Sequence, residues 1–194
     1  MSLPDLFRAV AAAFDGPEEI EAVAKEALLA ANPPMRFAGE QTPLPESILA
    51  VMRAPDAHPV CDLIASEPLA WAPPQTSASA AYIAHSTFKA HVELIGPDGI
   101  CPSDDVRLGL YGFQPGGDYG LRTHPAEEIF VMVAGEGEWK RGKDDYIPLR
   151  TGGRAFHPSM IPHATRSRDS AFMSLYVWRG DVSTDGYTYH GLPD

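Results

Sequence analysis

Apolar positions in the first part of the chain recur at helical spacing. Leu3, Leu6, Phe7, Val10 and Phe14 share one helix face, and Ile20, Val23, Ala27, Leu28 and Ala31 do so after a Gly16-Pro17 start with Glu18 and Glu19 in the first turn. Two amphipathic helices are predicted there. Two shorter ones are predicted at about residues 45–53 and 59–66, each opened by a proline, and the run 71–77, which contains Pro73 and Pro74, reads as a connector. From Ala80 onward the period changes. Short apolar segments at 82–95, 106–113, 128–134, 137–140, 146–149, 154–157 and 172–178 are separated by Gly, Pro and Asp, and glycine stands in the turns at 97–99, 116–118 and 152–153 where strands must reverse. The expected fold is mainly β: an antiparallel sandwich or β-barrel over residues 80–194, preceded by an α-helical N-terminal region, residues 1–79, that packs on it.

Composition sharpens this division, because only Gly16 and Gly39 of the 17 glycines precede residue 81. With 15 basic against 26 acidic side chains the formal charge is −11, so the surface repels phosphate backbones and anionic membranes, and nucleic-acid binding is disfavoured. No stretch approaches the ~20 apolar residues of a membrane span, and the N-terminus has no basic leader region; a cytoplasmic protein is expected. Cys61 and Cys101 form no C-x-x-C pair and are read as buried small hydrophobes.

Chemistry concentrates in two segments, 116–135 and 152–163. His124 and Glu128 are four apart, which on a strand of period two puts both on one face, with Phe130 and Met132 on the same side. In the second segment a turn led by Pro158 and Pro162 presents His163. His124 and Glu128 alone can be a hydrogen-bonded surface pair; with His163 they make two imidazoles and a carboxylate, a site with open positions for one divalent metal ion such as Fe(II), Zn(II) or Mn(II). His157, in the turn before Pro158, reads as structural. His58, His85, His91 and His190 show no ligand spacing, and Glu127 should point away from Glu128 into solvent.

The spacings resemble those of the cupin superfamily, whose first motif is met by Gly116, His124, Glu128 and Gly135 and whose second is met by Gly152, Pro158 and His163. Arg122 occupies the place of the first motif histidine, and Met160 stands where the second motif has glycine. A guanidinium is never deprotonated and so cannot replace that ligand, but it can clamp a substrate carboxylate. The helical region joined to one such domain, and the stretch from Asp118 to Asp181, are similar to the bacterial cupin-type lyases of dimethylsulfoniopropionate of the DddQ and DddL kind. That resemblance implies a divalent metal at His124, Glu128 and His163. It also implies cleavage of the sulfonium zwitterion into dimethyl sulfide and acrylate. Tyr119 matches an active-site tyrosine of the family and Trp178 a pocket tryptophan, whereas a metal-contacting phenol two residues after the glutamate is here Phe130.

A β-elimination must remove a weakly acidic proton beside a carboxylate, so it needs charge stabilisation there and a base; a tyrosine close to a dication is partly ionised, which makes Tyr119 the candidate catalytic residue. Arg122, Phe130 and Trp178 are the candidate substrate-binding residues, the aromatic faces holding a sulfonium by ~0.5–2 kcal/mol each. Two other classes compete: another small-molecule cupin enzyme, such as a non-haem Fe(II) dioxygenase or an isomerase, and a non-catalytic ligand-binding cupin. The expected partner is a small-molecule substrate rather than nucleic acid or membrane, with a homodimer as the candidate assembly.

Overall fold

The computed structural model describes residues 2–193. Helix α1 (Leu3–Ala13) opens with a capping box in which the Ser2 side chain accepts from the Asp5 amide and the Asp5 carboxylate accepts from the Ser2 amide, satisfying donors that a helix start leaves free. Helix α2 (Glu19–Ala30) follows where the periodicity places it, and α3 (Glu46–Met52) and α4 (Val60–Ser66) where the opening prolines place them. A fifth, α5 (Ala80–Ala84), was not expected. Its last three residues fall in the predicted strand at 82–95, but Ser79 accepts from the Tyr82 amide and caps a short Ala-rich turn, so the strand β1 (Lys89–Gly96) begins later.

The strands β2 (Cys101–Pro102), β3 (Val106–Phe113), β4 (Asp118–Thr123), β5 (Glu127–Arg141), β6 (Ile147–Arg150), β7 (Arg154–His157), β8 (His163–Arg166), β9 (Phe172–Arg179) and β10 (Thr188–Gly191) complete the chain. The segments 128–134 and 137–140 are one strand, β5, bulged between Met132 and Ala134 and bent at Gly135, whose φ is 72°. A side chain at Gly135 would also collide with the carbonyl oxygen of Ala171. Because of this bend β5 serves two sheets. Its first half lies in the order β7-β5-β9-β3-β1-β2, and its second half pairs with β6 and with β8, which leads through β4 to β10. The sheets face one another as a jelly-roll-like sandwich, and the barrel does not close.

Strand alternation divides the interior into two compartments. Ile129, Val131 and Val133 of β5, Met173, Leu175 and Val177 of β9, and Leu108 and Leu110 of β3 point outward and join Leu3, Leu6, Phe7, Val10, Ile48 and Ile64 of the helices in one apolar cluster. The alternate residues, Phe130 and Met132 of β5, Phe172, Tyr176 and Trp178 of β9, and Tyr111 and Phe113 of β3, point inward with Tyr119 and Trp139 from the second sheet. Both faces of the first sheet are therefore dry, which is why its strands read as nearly continuous apolar runs. Among the described residues no helix is long and apolar enough to cross a membrane.

Candidate metal centre

His124 is not on a strand. It lies in the link between β4 and β5, where Pro125 interrupts the ladder, so a turn rather than a single strand of period two brings it to Glu128. Its Nδ1–H donates to the carbonyl of Ala126 at 3.0 Å. His163 opens β8 opposite Arg122 of β4, and its Nδ1–H donates to the Ile161 carbonyl at 2.8 Å. Each of these bonds leaves the Nε2 lone pair facing inward.

Both lone pairs aim at the same atom. His163 Nε2 is 3.0 Å and His124 Nε2 3.6 Å from Glu128 Oε2. His124, Glu128 and His163 are all buried, and their ligand atoms lie within 4.8 Å of one another, a grouping that can hold a metal ion. None of the three inward atoms has a hydrogen-bond partner. Buried polar atoms left unpaired cost about 1–3 kcal/mol each, and acceptors facing acceptors need a cation between them, so the donor set fits a metal. Burial and the charge of Arg122 push the His163 imidazole well below its ordinary range, into the neutral form that ligates.

The structure also sets His157 beside this group, at the end of β7 rather than in the turn before Pro158. It ends β7 directly across from Glu128, is buried, and its Nδ1 stands 3.4 Å from Glu128 Oε2. Spacing could not reveal this, because cross-strand pairing has no fixed offset in sequence. His58, His85 and His190 lie elsewhere with partners of their own, the Val60 amide, the Tyr189 hydroxyl and the Thr123 hydroxyl respectively. Glu127 pairs with Arg179 at 2.7 Å instead of standing free in solvent.

A cavity of about 440 Å³ opens beside the cluster, with Arg122, Glu128, Tyr111, Phe130, Tyr176 and Trp178 in its walls. Trp178 does more than present a face: its Nε1–H donates to Glu128 Oε1 at 2.6 Å, and its ring stacks on His124 at 4.1 Å. Arg122 is buried, with Nη2 donating to Thr165 Oγ1 at 3.2 Å and lying 3.9 Å from Glu128, while Nη1 has no partner. Its guanidinium carbon is 4.1 Å from the Tyr119 ring, and the buried Lys89 ammonium also lies over that ring. The Tyr119 hydroxyl is bonded to that of Tyr187. Burial holds the Tyr119 phenol well above its ordinary value, with Arg122 pulling the other way. Tyr111, Tyr176 and Tyr187 were not singled out from sequence; Tyr111 and Tyr176 share the inward parity of Phe113 and Trp178, a signal that was available.

Residues 35–174 match the family model described as dimethylsulfoniopropionate lyase, which is well over half of the chain. The chain belongs to the dimethylsulfoniopropionate lyase family. Within it, the dimethylsulfoniopropionate lyase DddQ of Ruegeria pomeroyi is 42% identical over 91 residues, which cover 47% of this chain and 45% of that relative. The aligned part thus spans about half the length of the relative. A crystal structure of the Ruegeria pomeroyi DddQ superposes with a TM-score of 0.63 at 27% identity, covering 96% of each chain. A chain from the crystal structures of the dimethylsulfoniopropionate lyases RdDddP and RnDddQII does so with a TM-score of 0.66 at 23% identity, covering 97% of this chain and 96% of that one. The segment matched to the lyase family contains Tyr119, Arg122, His124, Glu128, Phe130 and His163; Trp178 lies beyond it.

Proposed function

We propose that the protein is a metal-dependent carbon–sulfur lyase that cleaves dimethylsulfoniopropionate, or a close sulfonium carboxylate, to dimethyl sulfide and acrylate by β-elimination. The observation that carries this reading is the convergence of His124, Glu128 and His163 on one unpaired point beside a cavity that holds both a buried guanidinium and aromatic faces, in a chain of the lyase family. A divalent ion there, Zn(II), Fe(II) or Mn(II), supplies a Lewis acid for the carboxylate on which charge builds.

The unpartnered Nη1 of Arg122 binds that carboxylate and fixes the α-carbon. The rings of Phe130 and Trp178, with those of Tyr111 and Tyr176, take the sulfonium, which needs a polarisable face and no hydrogen bond. Tyr119 is the base. Its phenolate accepts the α-proton, the electron pair forms the new double bond, and the carbon–sulfur bond breaks to release a neutral thioether. The Arg122 guanidinium over the ring favours the phenolate against burial, and a dication at the neighbouring centre would add to it.

The experiment is headspace detection of dimethyl sulfide from metal-loaded protein and dimethylsulfoniopropionate between about pH 6 and about pH 9. Release above the metal-free control is expected, and none at any pH overturns the reading. Phe130 and Arg122, which depart from the lyase pattern, favour as second reading an Fe(II)-dependent oxygenase of the same fold; Fe(II)-dependent oxygen uptake without dimethyl sulfide would select it.

A further inference from the structure

We propose that His157 is a fourth metal ligand, supplied by β7 in place of the histidine that Arg122 displaced; this rests on the metal reading above. His157 and Glu128 are direct partners across the antiparallel β5–β7 pair, so both side chains leave the sheet on the same side. The His157 side chain is 2% exposed, and its Nδ1 has no hydrogen-bond partner. That atom faces the same carboxylate oxygen as His124 Nε2 and His163 Nε2, at 3.4 Å. The His157 ring lies against His163 with centroids 4.2 Å apart and planes 16° apart, so the two imidazoles enter the site side by side.

His124, Glu128 and His163 form the tight buried group, and the unpartnered Nδ1 of His157 approaches its carboxylate oxygen from β7. His91 and His85, by contrast, each hold a ring nitrogen against a tyrosine hydroxyl, that of Tyr176 and that of Tyr189. The cation of Arg122 explains the need. A guanidinium 3.9 Å from Glu128 repels a dication, and a further neutral nitrogen restores affinity without adding charge. Two imidazoles and a carboxylate become three imidazoles and a carboxylate.

The competing role for His157 is a hydrogen bond that merely orients Glu128, and the test separates the two. Zn(II) binding is measured by competition with a chromophoric chelator for the wild type, His157→Ala, His157→Asn and His163→Ala, together with the visible spectra of the Co(II) forms. The expected result is one equivalent in the wild type, a loss of ~100-fold or more in affinity for both His157 variants, and altered Co(II) bands in each. Asparagine keeps a hydrogen bond to the carboxylate, so recovery of wild-type affinity and spectrum by His157→Asn overturns the proposal, as does His157→Ala binding within about threefold of wild type. X-ray absorption of the Zn(II)-loaded wild type gives a readout that needs no variant: three imidazoles are expected, and two overturn the assignment. A wild type that binds neither ion defeats the metal reading itself.

Discussion

Met160 shows how a single residue can hold a conformation that its type resists. Its φ of 60° lies in the left-handed region, in the place of the motif glycine, and its amide donates to the His124 carbonyl at 2.9 Å, so the strained turn helps to position a ligand. A left-handed non-glycine residue costs about 1–2 kcal/mol, partly offset by the greater freedom of an unfolded glycine. Met160→Gly should therefore raise stability by about 0.5–1 kcal/mol in urea unfolding, since the exposed side chain gives up little burial. Phe130 is the second residue to test. Its buried ring lies 4.4 Å from Trp139 and 5.5 Å from Tyr111, beside the cluster. If a phenol there assists proton removal, Phe130→Tyr should raise the rate of dimethyl sulfide release by about tenfold or more; an unchanged rate assigns the whole base function to Tyr119. His124, Glu128 and His163 were legible from sequence because two motifs fix their offsets. His157 was not, since only the pairing of β7 with β5 sets it opposite Glu128.

At the scale of elements, helix α2 is fastened to the sheet by a charge inside the structure. Glu21 is fully buried, accepts from Arg154 Nε of β7 at 2.8 Å and from the Gly16 amide at 3.0 Å, and Arg154 also reaches Asp15. Removing one partner of a buried pair leaves the other charge uncompensated, and because Arg154 keeps some solvent the lower end of the usual cost applies. Glu21→Ala should lose about 3 kcal/mol, read as a lower urea midpoint with an unchanged slope. We propose that residues 1–79 are a cover for the first sheet rather than a unit that folds alone, because α1 to α4 share one apolar cluster with β1, β3, β5 and β9. Helices α1 and α2 were legible from their regular apolar period, α3 and α4 from the prolines that open them, and strands β3, β7 and β9 from short apolar segments bounded by turn residues. Strands β4, β8 and β10 were not: β4 carries Gly120 and Arg122 where an alternating strand would show apolar residues, β8 follows two prolines, and β10 is an exposed edge of four residues.

Across the whole molecule, the balance between buried and solvated imidazoles sets the response to acid. His91, whose Nε2 is 2.7 Å from the Tyr176 hydroxyl, is pushed down to about 3 by burial and by the charges of Arg107 and Lys89. Its folded value is below that of the unfolded chain, so the stability it contributes is complete above about pH 6.5 and is lost as pH falls toward the folded value. His91→Gln should remove a slope of up to about 1.4 kcal/mol per pH unit between about pH 6 and pH 4, seen as a smaller loss of urea midpoint than in the wild type; equal slopes would show that His91 takes up no proton on unfolding.

The four residues of β7 face two ways. Arg154 and Phe156 turn toward the helices, through Glu21 and the outer apolar cluster, while Ala155 and His157 turn inward. Such a short ribbon cannot tilt on one side and stay still on the other. If an ion sits at that centre with His157 among its ligands, withdrawing it with a chelator should be felt on the far side of the sheet, as faster deuterium uptake by the amides of the second helix, so that a molecule emptied at its centre loosens first at its coat.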